Sequence, residues 1–208
     1  MHYVYDFDST LYATARLWAR WVEILRKYGY ATPDVTIVEK KLNESLGLPF
    51  TPRRHAELIG MIPSYIDEAV LEQDTDIRSL GSSLVFDDVV PFLEKGRSAH
   101  RHSLLTFGDS EYQMGKIDAS GIHNLVGDIH VADLHHGKAD ILRELVESGS
   151  EPITFIDDHT WHLQFVHEAG LPVEIVRMRR PGEPHTPDEH PLDNIAWRIV
   201  SSLDELSV

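Results

Sequence analysis

Cysteine is absent from the 208 residues, which excludes a disulfide framework and any thiolate metal centre. Basic residues are scarce: nineteen Lys and Arg stand against thirty-four Asp and Glu, for a net charge of −15. Such a surface repels a phosphate backbone, so general nucleic-acid binding is not expected. A small phosphate ester remains admissible, because a local cation and one or two basic side chains outweigh a distant, salt-screened field. Long apolar runs are also missing, and Met1 to Asp6 carries no basic region or small-residue cleavage site. A soluble, unprocessed, cytoplasmic chain without membrane contact is therefore expected.

What is present is an ordinary globular balance of 42% apolar and 25% charged residues, at a length that suits one core with a sizeable insertion. Short apolar runs at 2–7, 103–106, 128–132, 153–156 and 173–176 read as strands. Helical patterns at 111–120, 138–148 and 161–169 separate the later four, with Gly121, Gly149 and Gly170 as stops. Strand-helix alternation at this spacing predicts right-handed crossovers and an α/β, Rossmann-like, mostly parallel sheet with helices on both faces. Residues 15–82 break the alternation. Leu17, Trp18, Trp21, Val22, Leu25 and Tyr28 recur at helical spacing, Glu23 and Lys27 form an expected i,i+4 pair, and Gly29 ends the run. Thr32-Pro33 and Pro63 read as further helix starts. The aromatic stripe is read as core. The expected organisation is a core domain, 1–14 and 83–208, resuming near Phe86, with a helical insertion over 15–82. Near the end, Ile195, Trp197 and Ile199 alternate like an edge strand, and Ser202 to Glu205 matches a capping box.

Four clusters carry chemistry. Asp6-Phe7-Asp8-Ser9-Thr10 lies where the first strand ends, on the ligand side of an open α/β sheet. One carboxylate can attack phosphorus, giving an acyl-phosphate that water later cleaves, and the other can handle protons. Thr106, with the backbone N–H after it in Phe107, ends a second strand and can hold phosphoryl oxygens. Lys138 opens a helix, where the dipole disfavours a cation unless an anion is near; Lys116 competes for its role from the preceding helix. Asp157 and Asp158 sit at another strand tip. Four gathered carboxylates beside a dianionic substrate call for a hard divalent cation, and magnesium fits oxygen-only ligation.

In this order the clusters resemble the haloacid dehalogenase (HAD) superfamily over nearly the whole chain, and its phosphatase branch with a type 1 helical cap in particular. The resemblance implies that Asp6 is the nucleophile and that Asp8 is the general acid/base and a magnesium ligand through its carbonyl. It also implies that Thr106 binds phosphate, that Lys138 neutralises nucleophile and phosphate, and that Asp158, aided by Asp157, holds Mg2+. Phe107 stands where the family often has Asn, and His162 follows Asp158 where many phosphatases place another acid.

The resulting expectation is a magnesium-dependent phosphomonoesterase acting through an aspartyl-phosphate on a small phosphorylated metabolite. Its alternatives are a carbon-halogen hydrolase using the same nucleophile and a non-catalytic binding module. Asp8 argues against the first, because a halide leaves without a proton. Arg53 and Arg54, in the insertion, are candidates to reach a substrate anion. The thirteen histidines, including His100/His102, His135/His136 and His159–His162–His167, lack a metal triad pattern and are read as surface residues or as supporting groups near the site.

Overall fold

Four residues with no exposed side chain, His2–Tyr5, form β1 at the middle of the sheet. In the computed structural model, which describes residues 1–31, 35–149, 151–184 and 189–206, five further strands follow. They are β2 (Arg101–Phe107), β3 (Asp128–Ala132), β4 (Ile153–Asp157), β5 (Val173–Met178) and β6 (Arg198–Val200). The six-stranded sheet runs β3-β2-β1-β4-β5-β6, with every neighbouring pair parallel. Chain order reverses direction between β1 and β4, and such a switch point opens a crevice beyond the carboxyl ends of the strands.

The helices are α1 (Thr14–Lys27), α2 (Val35–Lys40), α3 (Pro52–Leu58), α4 (Pro63–Leu80), α5 (Val89–Gly96), α6 (Ser110–Ser120), α7 (Lys138–Ser148) and α8 (Thr160–Glu168). Alternation along the strands sorts the core, since successive side chains point to opposite faces. Tyr3, Tyr5, Leu104 and Ile156 pack with Phe92, Leu93 and Ile117 of α5 and α6. Val4, Leu105 and Phe155 pack with Ile141, Leu142, Leu163 and Val166 of α7 and α8. Helices thus cover both faces, as the spacing predicts.

The segment between Ala13 and Leu84 gathers its own apolar cluster from Trp21, Ile24, Leu25, Phe50, Ala56, Ile66 and Ala69. Its two ends lie side by side: Ala13 N–H donates to Leu84 O at 2.7 Å and Phe86 N–H to Leu11 O at 3.1 Å. Pro63 opens α4 at its first turn, where its missing N–H costs nothing. Pro52 opens α3 in the same way, with Thr51 accepting from Arg54 N–H. The expected start at Thr32-Pro33 lies outside the described residues.

Two expectations need correction. Glu23 pairs with Arg20 and Lys27 with Glu72, not with each other, because α4 lies alongside α1 and presents its acids; Arg20 also reaches Asp76 at 2.5 Å. After Phe86 the chain forms α5 before it reaches β2. The expected alternation over Ile195, Trp197 and Ile199 is broken by a turn in which Asn194 adopts a φ of 58° and bonds to Trp197 O. Ile195 is therefore exposed while Trp197 is buried, and β6 is confined to the last three residues. The Ser202 capping box does form, closing a final 3₁₀ turn.

Among the described residues three histidines are buried, His2, His55 and His102, and none of the three lines the cavity described below. His102 stacks on Tyr3 and shares a 2.9 Å hydrogen bond with Tyr5 Oη, while His55, in α3, receives the Trp21 Nε1–H at 2.9 Å. Burial drives the His55 imidazole down to about 4, and burial, then Arg101, drives His2 down to about 4. Both are neutral in the fold and charge in the unfolded chain near the ordinary value of ~6.5. Between those values the unfolded state binds more protons, so stability falls as pH drops from ~6.5 to ~4. His55→Gln keeps an acceptor for Trp21 without titrating. Urea titrations across that window should show the variant's stability falling less steeply than wild type by about one proton, or ~1.4 kcal/mol per pH unit; an unchanged slope would contradict the assignment.

Candidate active site

β1 ends at Tyr5, and the Asp6 N–H still bonds to Ile156 O of β4 at 2.8 Å, which fixes the residue at the switch point. Phe7 O then accepts from both Leu11 and Tyr12 N–H, and Ser9 turns through a left-handed φ of 57°. Ser9 has no glycine's freedom there. Its hydroxyl donates to Glu183 Oε2 at 2.8 Å and its N–H to Thr14 Oγ1 at 3.1 Å, contacts that hold the strained turn. Glu183 also accepts from Ala15 N–H at 3.0 Å, so the same carboxylate anchors the start of α1.

Lys138, at the first position of α7, places Nζ 2.5 Å from Asp6 Oδ1 and 2.7 Å from Asp157 Oδ2. These are the anions that its place against the helix dipole requires. Asp157 is also met by His162 Nδ1 at 3.2 Å, and its Oδ1 accepts from His159 N–H at 2.8 Å. The next carboxylate, Asp158, is buried and its Oδ2 has no hydrogen-bond partner. Thr106 Oγ1, at the end of β2, is likewise buried and unpartnered.

The electrostatics follow from this crowding. Burial pushes Asp6 up to about 7 against the pull of Lys138, with Asp157 and Asp8 adding to the rise. Burial, then Asp6 and Asp157, pushes Asp158 well above the carboxylate range. For Asp157 burial acts upward too, but Lys138 and His162 win and hold it low. Burial alone would lower Lys138; Asp157 and Asp6 outweigh it and keep the ammonium protonated.

Asp8 faces a different cation. Lys116 of α6 sets Nζ 2.5 and 2.6 Å from its two oxygens, Thr14 Oγ1–H donates to Oδ1 at 2.8 Å, and Gln113 Nε2–H donates to Oδ2 at 3.0 Å. Burial opposes the charge, yet Lys116, aided by Gln113 and Thr14, keeps Asp8 below the usual carboxylate range. Gln113 Nε2 also reaches Phe107 O at 2.8 Å across Gly108, whose φ is 146°. A Cβ at Gly108 would sit 2.9 Å from that nitrogen, so only glycine lets the amide through. Lys116, which lies one strand–helix unit too early for the role of Lys138, pairs with Asp8, while Lys138 pairs with Asp6 and Asp157. Lys116, Thr14 and Gln113 carry no motif. Their only sequence signal is a helical position one or two turns from a strand end.

A cavity of about 330 Å³ opens onto Asp6, Asp8, Thr106, Phe107, Lys116 and Asp158. Arg53 is not part of its lining: it is exposed and paired with Asp67 at 2.8 Å. Arg54 ties Pro49 O, at 2.8 Å, to Asp109, at 3.1 Å, and so clips α3 to the start of α6 near the cavity's rim. Asp6, Asp157 and Asp158 each offer an oxygen within 4.8 Å of the others. An all-oxygen set with one orphaned buried carboxylate oxygen suits a hard divalent cation. Asp157 has its oxygens committed to Lys138, His162 and the His159 N–H, which leaves Asp6 and Asp158 as the carboxylates open to it.

The fold is that of the haloacid dehalogenase-like hydrolases. No family model matches the sequence, and no curated protein matches it; the likeness comes from solved structures. A haloacid dehalogenase-like hydrolase from Burkholderia xenovorans superposes with a TM-score of 0.71 at 17% identity, covering 99% of this chain and 95% of that one. CbbY from Rhodobacter sphaeroides, as a variant in complex with xylulose-(1,5)bisphosphate, gives 0.64 at 17%, covering 99% and 95%. The HAD-hydrolase YfnB from Bacillus subtilis, bound to magnesium, gives 0.62 at 16%, covering 99% and 96%. Dehalogenases are also among the similar structures. Among the described residues no helix is long and apolar enough to cross a membrane.

The crowding has a stability signature in metal-free protein. Lys138→Met leaves Asp6 and Asp157 without their cation and should cost ~3 kcal/mol or more in urea unfolding. Asp158→Asn removes a carboxyl whose charged form burial and the neighbouring Asp6 and Asp157 disfavour against the pull of Lys138, so it should raise the urea midpoint. A destabilised Asp158→Asn would contradict the electrostatic reading.

Proposed function

We propose that this chain is a magnesium-dependent phosphomonoesterase of the HAD superfamily, acting on a small phosphorylated metabolite through an aspartyl-phosphate on Asp6. The observation that carries the reading is the convergence of Asp6, Lys138, the unpartnered Thr106 hydroxyl and the unpartnered Asp158 oxygen at the carboxyl ends of β1, β2 and β4. The magnesium-bound and sugar-bisphosphate-bound relatives of the same fold support the choice of cation and ligand class.

Asp6 attacks phosphorus in line, with Lys138 holding its carboxylate in place and Thr106 donating its hydroxyl hydrogen to a phosphoryl oxygen. Asp6 and Asp158, with the Asp8 carbonyl, would hold Mg2+, which supplies positive charge to the phosphoryl oxygens. Asp8 serves both half-reactions: protonated, it gives its proton to the departing alkoxide; as carboxylate, it takes a proton from the water that cleaves the adduct. The Lys116 contact favours the carboxylate, the form the second step needs. The first step therefore requires that contact to loosen when a phosphoryl group enters. Residues 15–82 act as a cap that excludes water and selects the leaving group, and Arg54, at the rim, is closer to that role than Arg53.

Carbon-halogen cleavage by the same nucleophile is the second reading, favoured by the dehalogenases among the similar structures. A halide needs no proton on leaving, so the hydrogen-bonded Asp8 weighs against it. Purified protein assayed against phosphomonoesters with magnesium should turn over, and exhaustive chelation should abolish it. Asp8→Asn should lower alkyl-phosphate turnover on the order of a hundredfold or more, with a smaller loss on an aryl phosphate, whose leaving group departs unprotonated. Asp6→Asn should silence both. Full activity after chelation, or an Asp8→Asn enzyme unchanged on alkyl esters, would overturn the mechanism.

A further inference from the structure

We infer that the leaving group of the substrate is a compact, apolar, planar ring, carrying no second phosphate and few hydroxyls. This rests on the phosphomonoesterase reading for the groups that meet phosphorus and concerns the apolar part of the same lining, Leu17 and Trp18 of α1, Pro49, Phe50, and Tyr112 of α6. The aromatic rings form a continuous wall. Trp18 and Phe50 meet edge to face with centroids 4.3 Å apart, and Phe50 and Tyr112 do so at 6.2 Å. Phe107 adds another ring from the sheet side. Such walls favour a flat apolar guest through burial and edge-to-face contact.

The polar side chains of the cavity argue the same way, because most are already engaged. Ser9 Oγ is given to Glu183, Thr14 Oγ1 and Gln113 Nε2 to Asp8, and Tyr112 Oη accepts from Gln73. Apart from the Thr106 hydroxyl and the Asp158 oxygen at the reacting centre, Gln113 Oε1 is buried without a partner and could receive one donor, and the imidazoles of His159 and His162 complete the polar lining. A polyol would bury several hydroxyls with too few partners, at a cost an apolar ring does not meet. A second phosphate fares no better. Among the described lining residues Lys116 is the only lysine or arginine, and its Nζ is held by both oxygens of Asp8. Arg53 and Arg54 are directed to Asp67 and Asp109 outside the cavity. A volume of about 330 Å³ is at the small end for ligand pockets and suits one phosphoryl group and one ring system.

Benzyl phosphate and glycerol phosphate both release an alkoxide, so comparing them isolates the pocket. Wild-type protein with magnesium should show kcat/KM for benzyl phosphate about tenfold or more above that for glycerol phosphate and for fructose bisphosphate. Trp18→Ala should erase most of that preference while leaving inhibition by inorganic phosphate unchanged. Equal or better use of glycerol phosphate or the bisphosphate, or a preference that survives Trp18→Ala, would overturn the inference. Calorimetric binding of benzylphosphonate and of a glycerol phosphonate analogue reads the pocket without turnover. If no ester is hydrolysed yet benzylphosphonate binds tighter and Trp18→Ala abolishes the difference, the phosphatase reading fails and the ring pocket stands. If neither ester is hydrolysed and the two phosphonates bind alike, the ring pocket fails as well.

Discussion

The ammonium of Lys138, lodged between Asp6 and Asp157, is the contact on which the rest of the site depends. Three carboxylates that approach within 4.8 Å of one another in a buried crevice cannot all be charged without compensation. Lys138 satisfies two of them, at 2.5 and 2.7 Å, and is itself kept charged by them despite its burial. Asp158 is left over, pushed upward by the same neighbours. The energetic debt concentrates where a divalent cation would relieve it, which is the expected signature of a functional site rather than of a stabilising network.

The fold makes this concentration possible by bringing four chain segments to one edge. β1, β2 and β4 are adjacent and parallel, so Asp6, Thr106 and Asp157 emerge together at their carboxyl ends, and α7 returns to the sheet with Lys138 at its first turn. The turn after Asp6 does a second task. Through Ser9, Thr14 and Glu183 it fixes both Asp8 and the start of α1, and the backbone bonds from Leu11 to Ala13 tie it to the returning chain at Leu84 to Phe86. Any movement of the helical segment is thus mechanically connected to Asp8. The two lysines divide the carboxylates between them: Lys138 holds Asp6 and Asp157, while Lys116 holds Asp8.

Much of this was legible in the sequence because it is local. The strand cores over 128–132 and 153–156 and the helix over 138–148 follow from apolar spacing alone, and the acidic residues at strand ends fall where an open parallel sheet gathers ligands. What escaped depends on distant packing. The salt bridges of Lys27 and Arg20 are set by α4 lying beside α1, which no i,i+4 rule contains. The engagement of Lys116 with Asp8 spans 108 residues and is decided by the crossing of α6 over the turn after β1. His102 and His55 look like surface histidines in the sequence, and only their buried partners Tyr5 and Trp21 reveal otherwise. Ile195 fitted a strand pattern but sits in a turn imposed by the positive φ of Asn194.

The central claim is that Asp6 carries the phosphoryl group between two displacements at phosphorus. Acid-quenched mass spectrometry of the peptide containing Asp6, after a single turnover in heavy-oxygen water, tests it most directly. The account predicts a fraction of Asp6 carrying one phosphoryl group at early times, and no heavy oxygen in that carboxylate once turnover is complete, the label appearing in released phosphate instead. An Asp6 that is never phosphorylated would contradict it. Heavy oxygen retained in the Asp6 carboxylate would contradict it too, since water would then have attacked the carboxyl carbon of an ester intermediate, as in carbon-halogen hydrolysis.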